Sequence, residues 1–104
     1  MKHGLTPNTI IGELESRKEE LAVYGVKRIG LFGSFLKGSG RKESDLDFLV
    51  LFDASTFDKY FELKFLLEKL FHRKVDLVLE DSLKPAVEYV KKEALYAKAN
   101  FISA

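Results

Sequence analysis

Apolar positions recur along the chain with two different spacings, and the switches between them mark out its elements. Ile10, Ile11, Leu14, Leu21 and Tyr24 fall near helical spacing, with Glu13, Glu15, Arg17, Lys18, Glu19 and Glu20 on the other faces. Thr6-Pro7 ahead of them offers an N-cap and a first-turn proline, and Gly25 behind them a C-cap, so a first helix is expected over about 7–24. Val26 to Phe32 alternates and then turns apolar, as a short buried strand does, and Gly33-Ser34 ends it. Ser34 to Lys37 could form a short helix before Gly38-Ser39-Gly40 interrupts it, and Arg41-Lys42-Glu43-Ser44 reads as a polar loop. Leu46 to Phe52 is apolar almost throughout, which predicts a central strand covered on both faces.

A helix follows over Thr56 to His72. Its Phe, Leu and Tyr side chains exceed one stripe, which fits either a core helix or a helix with a face for a partner. Val75 to Leu79 is a third strand. Asp81-Ser82 caps a last helix from about Leu83, with Pro85 in its first turn and Val87, Val90, Ala94 and Leu95 along it. The order predicts an α/β (α+β) domain: a three-stranded sheet with helices packed on it, strand directions left open. One domain over 1–104 is expected, with flexible tails at 1–5 and 98–104.

Composition narrows the classes. A chain of 104 residues, 46% hydrophobic and 32% charged, with nine Phe and four Tyr, can bury a dense core without staples. The absence of cysteine excludes disulfides, thiolate metal sites and a cysteine nucleophile, and fits a reducing compartment. A net charge of +1 gives no bulk field for nucleic acid or a membrane surface, so no direct nucleic-acid partner is expected. No apolar run approaches the roughly 20 residues of a membrane span, and Met1-Lys2-His3-Gly4 lacks the apolar core of a signal peptide. The expected location is cytoplasmic.

Three features could carry chemistry. Asp45 and Asp47 lie two apart at the mouth of the second strand, so their carboxylates share a face. Such a pair suits Mg²⁺, which takes one or two carboxylates and keeps water or phosphate as its other ligands; a solvated strand end has the same pattern. Asp76 stands alone in Val75-Asp76-Leu77-Val78, where a charge needs a metal or a partner such as Lys74 or Arg73. With the third strand beside the second, Asp76 joins the other two acids. Gly33-Ser34, followed by Lys37, provides a tight turn, free N–H groups, a hydroxyl and a cation, which together can hold a polyphosphate. An ordinary strand-to-helix turn fits Gly33-Ser34 as well, and no P-loop pattern occurs. Phosphates beside three acids is what phosphoryl or nucleotidyl transfer needs, with two metal ions polarising the phosphorus.

The run G-S-F-L-K-G-S-G-R-K-E-S-D-L-D closely resembles the signature of the polymerase-β-like nucleotidyltransferases, and V-D-L-V resembles the strand of their third acid. More narrowly, S-D-L-D-F-L-V, K-V-D-L-V and Leu83-Lys84-Pro85 resemble the minimal nucleotidyltransferases of prokaryotes, over the length from first helix to last. The resemblance implies a short mixed sheet. It also implies that Asp45 and Asp47 hold Mg²⁺ and the triphosphate, and that Asp76, a further metal ligand, helps activate an acceptor hydroxyl. Gly33 and Ser34 would hold the β- and γ-phosphates, with Lys37 and Ser44 counted among the nucleotide-binding residues. Lys37 departs from the arginine common in relatives and loses that residue's bidentate grip on phosphate.

The family implies a reaction in which AMP passes from ATP, with Mg²⁺ (two ions), to a hydroxyl. The chain has no room for the second substrate domain of larger relatives. The resemblance therefore implies a partner that brings the acceptor: a HEPN-type toxin modified on a tyrosine, with this chain as its antitoxin, in a homodimer or hetero-oligomer. Competing expectations are a non-catalytic module that neutralises such a toxin by covering it, and transfer to a small molecule or an RNA end.

Overall fold

A computed structural model describes residues 5–33, 35–37, 45–53, 57–81 and 86–97. Helices α1 (Pro7–Ser16) and α2 (Lys18–Val23) lead into strand β1 (Val26–Phe32). Strand β2 (Leu46–Phe52), helix α3 (Phe57–Phe71), strand β3 (Val75–Leu79), helix α4 (Ala86–Glu93) and strand β4 (Leu95–Tyr96) follow. The sheet order is β3-β2-β1-β4; β1 runs antiparallel to both β2 and β4, and β2 runs parallel to β3. The mixed sheet with packed helices has the expected class, but among the described residues it has four strands rather than three. Leu95, expected in the last helix, instead pairs with Leu31 in the edge strand, and Tyr96 pairs with Gly30.

The expected first helix is two. Thr6 caps α1 as its sequence predicts, its hydroxyl accepting from Thr9 N–H while the Thr9 side chain accepts from Thr6 N–H. The helix then breaks at Arg17, whose N–H donates to Leu14 O at 3.1 Å, a tighter i−3 bond, while the Ser16 hydroxyl donates to Glu13 O. A serine hydroxyl bonding back to the preceding turn competes with the helix ladder. At the far end Gly25 adopts φ 84°, the left-handed conformation that closes a helix. Leu5, assigned by its sequence to a tail, packs against the core.

The core lies on one face of the sheet. Ile10, Leu14 and Leu21 from α1 and α2 and Leu63, Leu67 and Phe71 from α3 meet Ile29, Leu31, Leu46, Phe48, Val50, Val75 and Leu77. Phe48 stacks on Phe71 with ring centroids 6.0 Å apart. A bulge between Val26 and Arg28 puts one extra residue in β1. The bulge returns Val26 to the core face and leaves Lys27 and Arg28 both exposed. Tyr60 donates its hydroxyl to Leu77 O at 2.9 Å, and Glu68 accepts the Val75 N–H at 3.0 Å, so α3 holds β3 at both places. The richly apolar α3 divides into a buried row (Leu63, Leu67, Phe71) and exposed Phe61 and Phe65. Among the described residues, no helix is long and apolar enough to cross a membrane.

Candidate active site

The side chains of β2 alternate between two faces, and the site forms at the start of the strand on the face turned away from α1, α2 and α3, where Leu49 further along is also buried. Leu46, Phe48 and Val50 point into the core, so Asp47 points the other way. Parallel pairing sets Asp47 directly beside Asp76 of β3. Register partners on neighbouring strands stand about 4.8 Å apart and share a face. Asp47 is half-buried, and Asp76 and Asp45, just ahead of β2, are exposed. Burial pushes the Asp47 carboxyl above its ordinary range, and the charges of Asp76 and Asp45 push it further. The three acids therefore share one electrostatic site. They do not stand as one closed shell: among the described residues no three His, Cys, Asp or Glu side chains gather tightly enough to grip an ion. Like charges relax apart unless a cation lies between them.

The donor set nevertheless fits Mg²⁺. It consists of hard carboxylate oxygens on adjacent strands, with a negative charge on Asp47 that its surroundings disfavour. Asp76 forms no ion pair among the described residues. Arg73, one of its candidate partners, lays its guanidinium over the Phe35 ring at 5.1 Å.

Gly33 follows β1 with φ 85°, and a Cβ there would collide with Asp47 Oδ2. Only glycine fits: it takes the left-handed conformation freely and leaves room for the carboxylate. The tight turn expected at Gly33 thus serves, in the first place, a close approach of the backbone to Asp47. Phe35 then turns into the core, and Lys37 donates its N–H to Gly33 O at 3.2 Å, one helical turn back. The Lys37 ammonium meets Glu93 of α4 at 3.2 Å, and the Tyr89 hydroxyl also hydrogen-bonds to Glu93. Ser34 and Ser44 lie outside the described residues. Sequence reasoning missed Glu93 and Tyr89. Their i,i+4 spacing was legible, but the partner Lys37 comes from a distant turn.

The description Nucleotidyltransferase domain fits residues 9–99, nearly the whole chain. The chain belongs to the nucleotidyltransferase family. This nucleotidyltransferase is a homologue of the protein adenylyltransferase MntA of Thermococcus cleftensis, 39% identical over 95 residues that cover 88% of this chain and 96% of the relative. A solved structure assigned as a minimal nucleotidyltransferase superposes with a TM-score of 0.74 at 34% identity, covering 90% of this chain and 98% of the other. A toxin–antitoxin structure with AMP-PNP matches at TM-score 0.66 and 27% identity, over 89% of this chain and 73% of the matched one. The fold and enzyme class implied by the motif resemblance are those of the family.

Proposed function

We propose that this nucleotidyltransferase transfers AMP from ATP to a tyrosine hydroxyl of a partner HEPN-type toxin and so acts as its antitoxin. The observation that carries the reading is the Asp47–Asp76 register pair, with Asp45 acting on the same carboxyl. A binding module has no physical need to hold such charges side by side. Support for the acceptor class comes from the T. cleftensis relative, a protein adenylyltransferase, and from the toxin–antitoxin structure that holds an ATP analogue.

In this reading Asp45 and Asp47 hold Mg²⁺ and orient the triphosphate, with Asp76 as a further ligand. The metal supplies charge neutralisation at the phosphorus and at the leaving oxygen. Asp76, exposed at the edge of the pair, accepts the proton of the attacking hydroxyl. A bond forms between the acceptor oxygen and the α-phosphorus, the bond from that phosphorus to the bridging oxygen breaks, and pyrophosphate departs. Gly33, Ser34 and Lys37 are assigned to the β- and γ-phosphates, and Ser44 is counted among the nucleotide-binding residues.

The test incubates the purified chain with α-labelled ATP, Mg²⁺ and the protein encoded beside it. Metal-dependent label on the partner is expected. Asp76→Asn should lower the rate about 10²–10⁴-fold, the usual worth of a general base, and Asp45→Asn/Asp47→Asn should abolish it. Neutralisation of the toxin by that double variant, with no label transferred by the wild type, would instead establish a covering module.

A further inference from the structure

The main chain and the side chain of Lys37 belong to different parts of the molecule. Its N–H is anchored to Gly33 O, within a turn of the acids, while its ammonium lies 3.2 Å from Glu93 Oε1 at the end of α4. A helix C-terminus is a poor place for a carboxylate because the dipole there is negative. Glu93 therefore depends on side-chain partners: the Tyr89 hydroxyl first and Lys37 second, which together hold its carboxyl below the ordinary range. The neighbouring Lys91 pairs instead with Glu88, at 3.6 Å.

We propose that Glu93 is a built-in competitor for the nucleotide, engaging Lys37 in the free protein and giving it up when a triphosphate arrives. The inference rests on the reading of Lys37 as a phosphate ligand. Lys37 is more than half exposed, and ion pairs of that exposure are weak. A polyphosphate, with several charges, outcompetes a single carboxylate for it. When Lys37 leaves, the Tyr89 hydrogen bond keeps Glu93 satisfied, so the exchange strands no charge. Glu93 thereby lowers affinity for ligands that reach Lys37 with their β- and γ-phosphates and spares ligands that do not.

Calorimetric titration with Mg²⁺-ATP and with AMP tests this on the wild type, Lys37→Gln, Glu93→Gln and the double variant. Lys37→Gln should weaken ATP binding. Glu93→Gln should tighten it about fivefold, the upper range for an exposed pair, and leave AMP unchanged. The double variant should return to the Lys37→Gln level, because the effect of Glu93 runs through Lys37. Glu93→Ala, which also drops the Tyr89 hydrogen bond, should shift ATP binding in the same direction, with thermal unfolding confirming that both variants fold. Unchanged or weaker ATP binding in both Glu93 variants, with Lys37→Gln still weakened, would overturn the competition and leave the phosphate role of Lys37 standing. Unchanged binding in Lys37→Gln would remove both.

Discussion

Asp47 is held in a form that its surroundings oppose, and Gly33 is the residue that permits it. Gly33→Ala would place a methyl group against the Asp47 carboxylate in a left-handed backbone. It should cost about 1–2 kcal/mol from the backbone alone, seen as a lower urea midpoint, together with loss of transfer activity. The raised Asp47 carboxyl has the opposite stability signature. A group whose folded pKa is raised contributes stability that is complete below its unfolded value and is lost as pH rises through the folded one. At neutral pH the ionised Asp47 is therefore a burden. Asp47→Asn should unfold at a higher temperature than the wild type in chelator. Mg²⁺ should raise the wild type's midpoint and leave the variant's where it is, while transfer activity is lost. An equal response of both to Mg²⁺ would remove Asp47 from the proposed metal-binding residues.

At the scale of elements, β4 is secured by side chains more than by its two residues of ladder. Glu80, buried just beyond β3, accepts from Arg28 Nε at 3.0 Å and from the Tyr96 hydroxyl at 3.2 Å, with a second Arg28 nitrogen completing the fork. The Tyr96 ring lies over Gly30, where a Cβ would meet it at 2.9 Å, and Arg28 stacks 5.5 Å from the ring centre. Burial is the largest single influence on the Glu80 carboxyl and raises it, but the Arg28 fork, the Tyr96 hydroxyl and the Lys91 charge together hold the group below its ordinary range. A lowered folded pKa gives stability that is present above the unfolded value, 4.5, and is lost as pH falls through the folded one. In acid titrations followed by circular dichroism, Glu80→Gln should be less stable than wild type at neutral pH, with the difference closing as pH falls below 4.5 and through the lowered folded value. Tyr96 is pushed up to about 12, by burial first and then by the Glu80 charge, so its phenolate should appear late in an ultraviolet titration and earlier in Glu80→Gln.

These elements also show what the amino-acid pattern could and could not announce. The Thr6 cap, the Gly25 stop and the three long strands are local, and each is written in a few consecutive residues. Strand β4 is not. Leu95 continues a helical spacing begun by Val87, and only the open edge of β1 draws it into the sheet. The break at Arg17 was equally hidden, because no glycine or proline marks it, and the Ser16 hydroxyl that bonds back to Glu13 O beside it is a weak signal in the sequence. Among the site residues, the Asp45-Asp47 face followed from the period of a strand. The addition of Asp76 needed the parallel pairing, which the pattern left open.

For the whole molecule, the sheet divides the work between its faces. One face is filled by α1, α2 and α3, and the other carries the acids at one end and the Arg28–Glu80–Tyr96 cluster towards the other. The parallel register of β2 and β3 therefore acts as a ruler. A slip of one residue in β3 would turn Asp76 inward and Val75 outward. Tyr60 on Leu77 and Glu68 on Val75 fix that register from α3. One alanine inserted into β3 between Val75 and Asp76 should thus yield a less stable protein without transfer activity. The same insertion before Arg73, in the link outside the ladder, should be absorbed with much of both retained. Catalytic competence in this small domain is then a report on strand alignment: a misaligned chain is silent by construction, and only correctly threaded copies can modify anything.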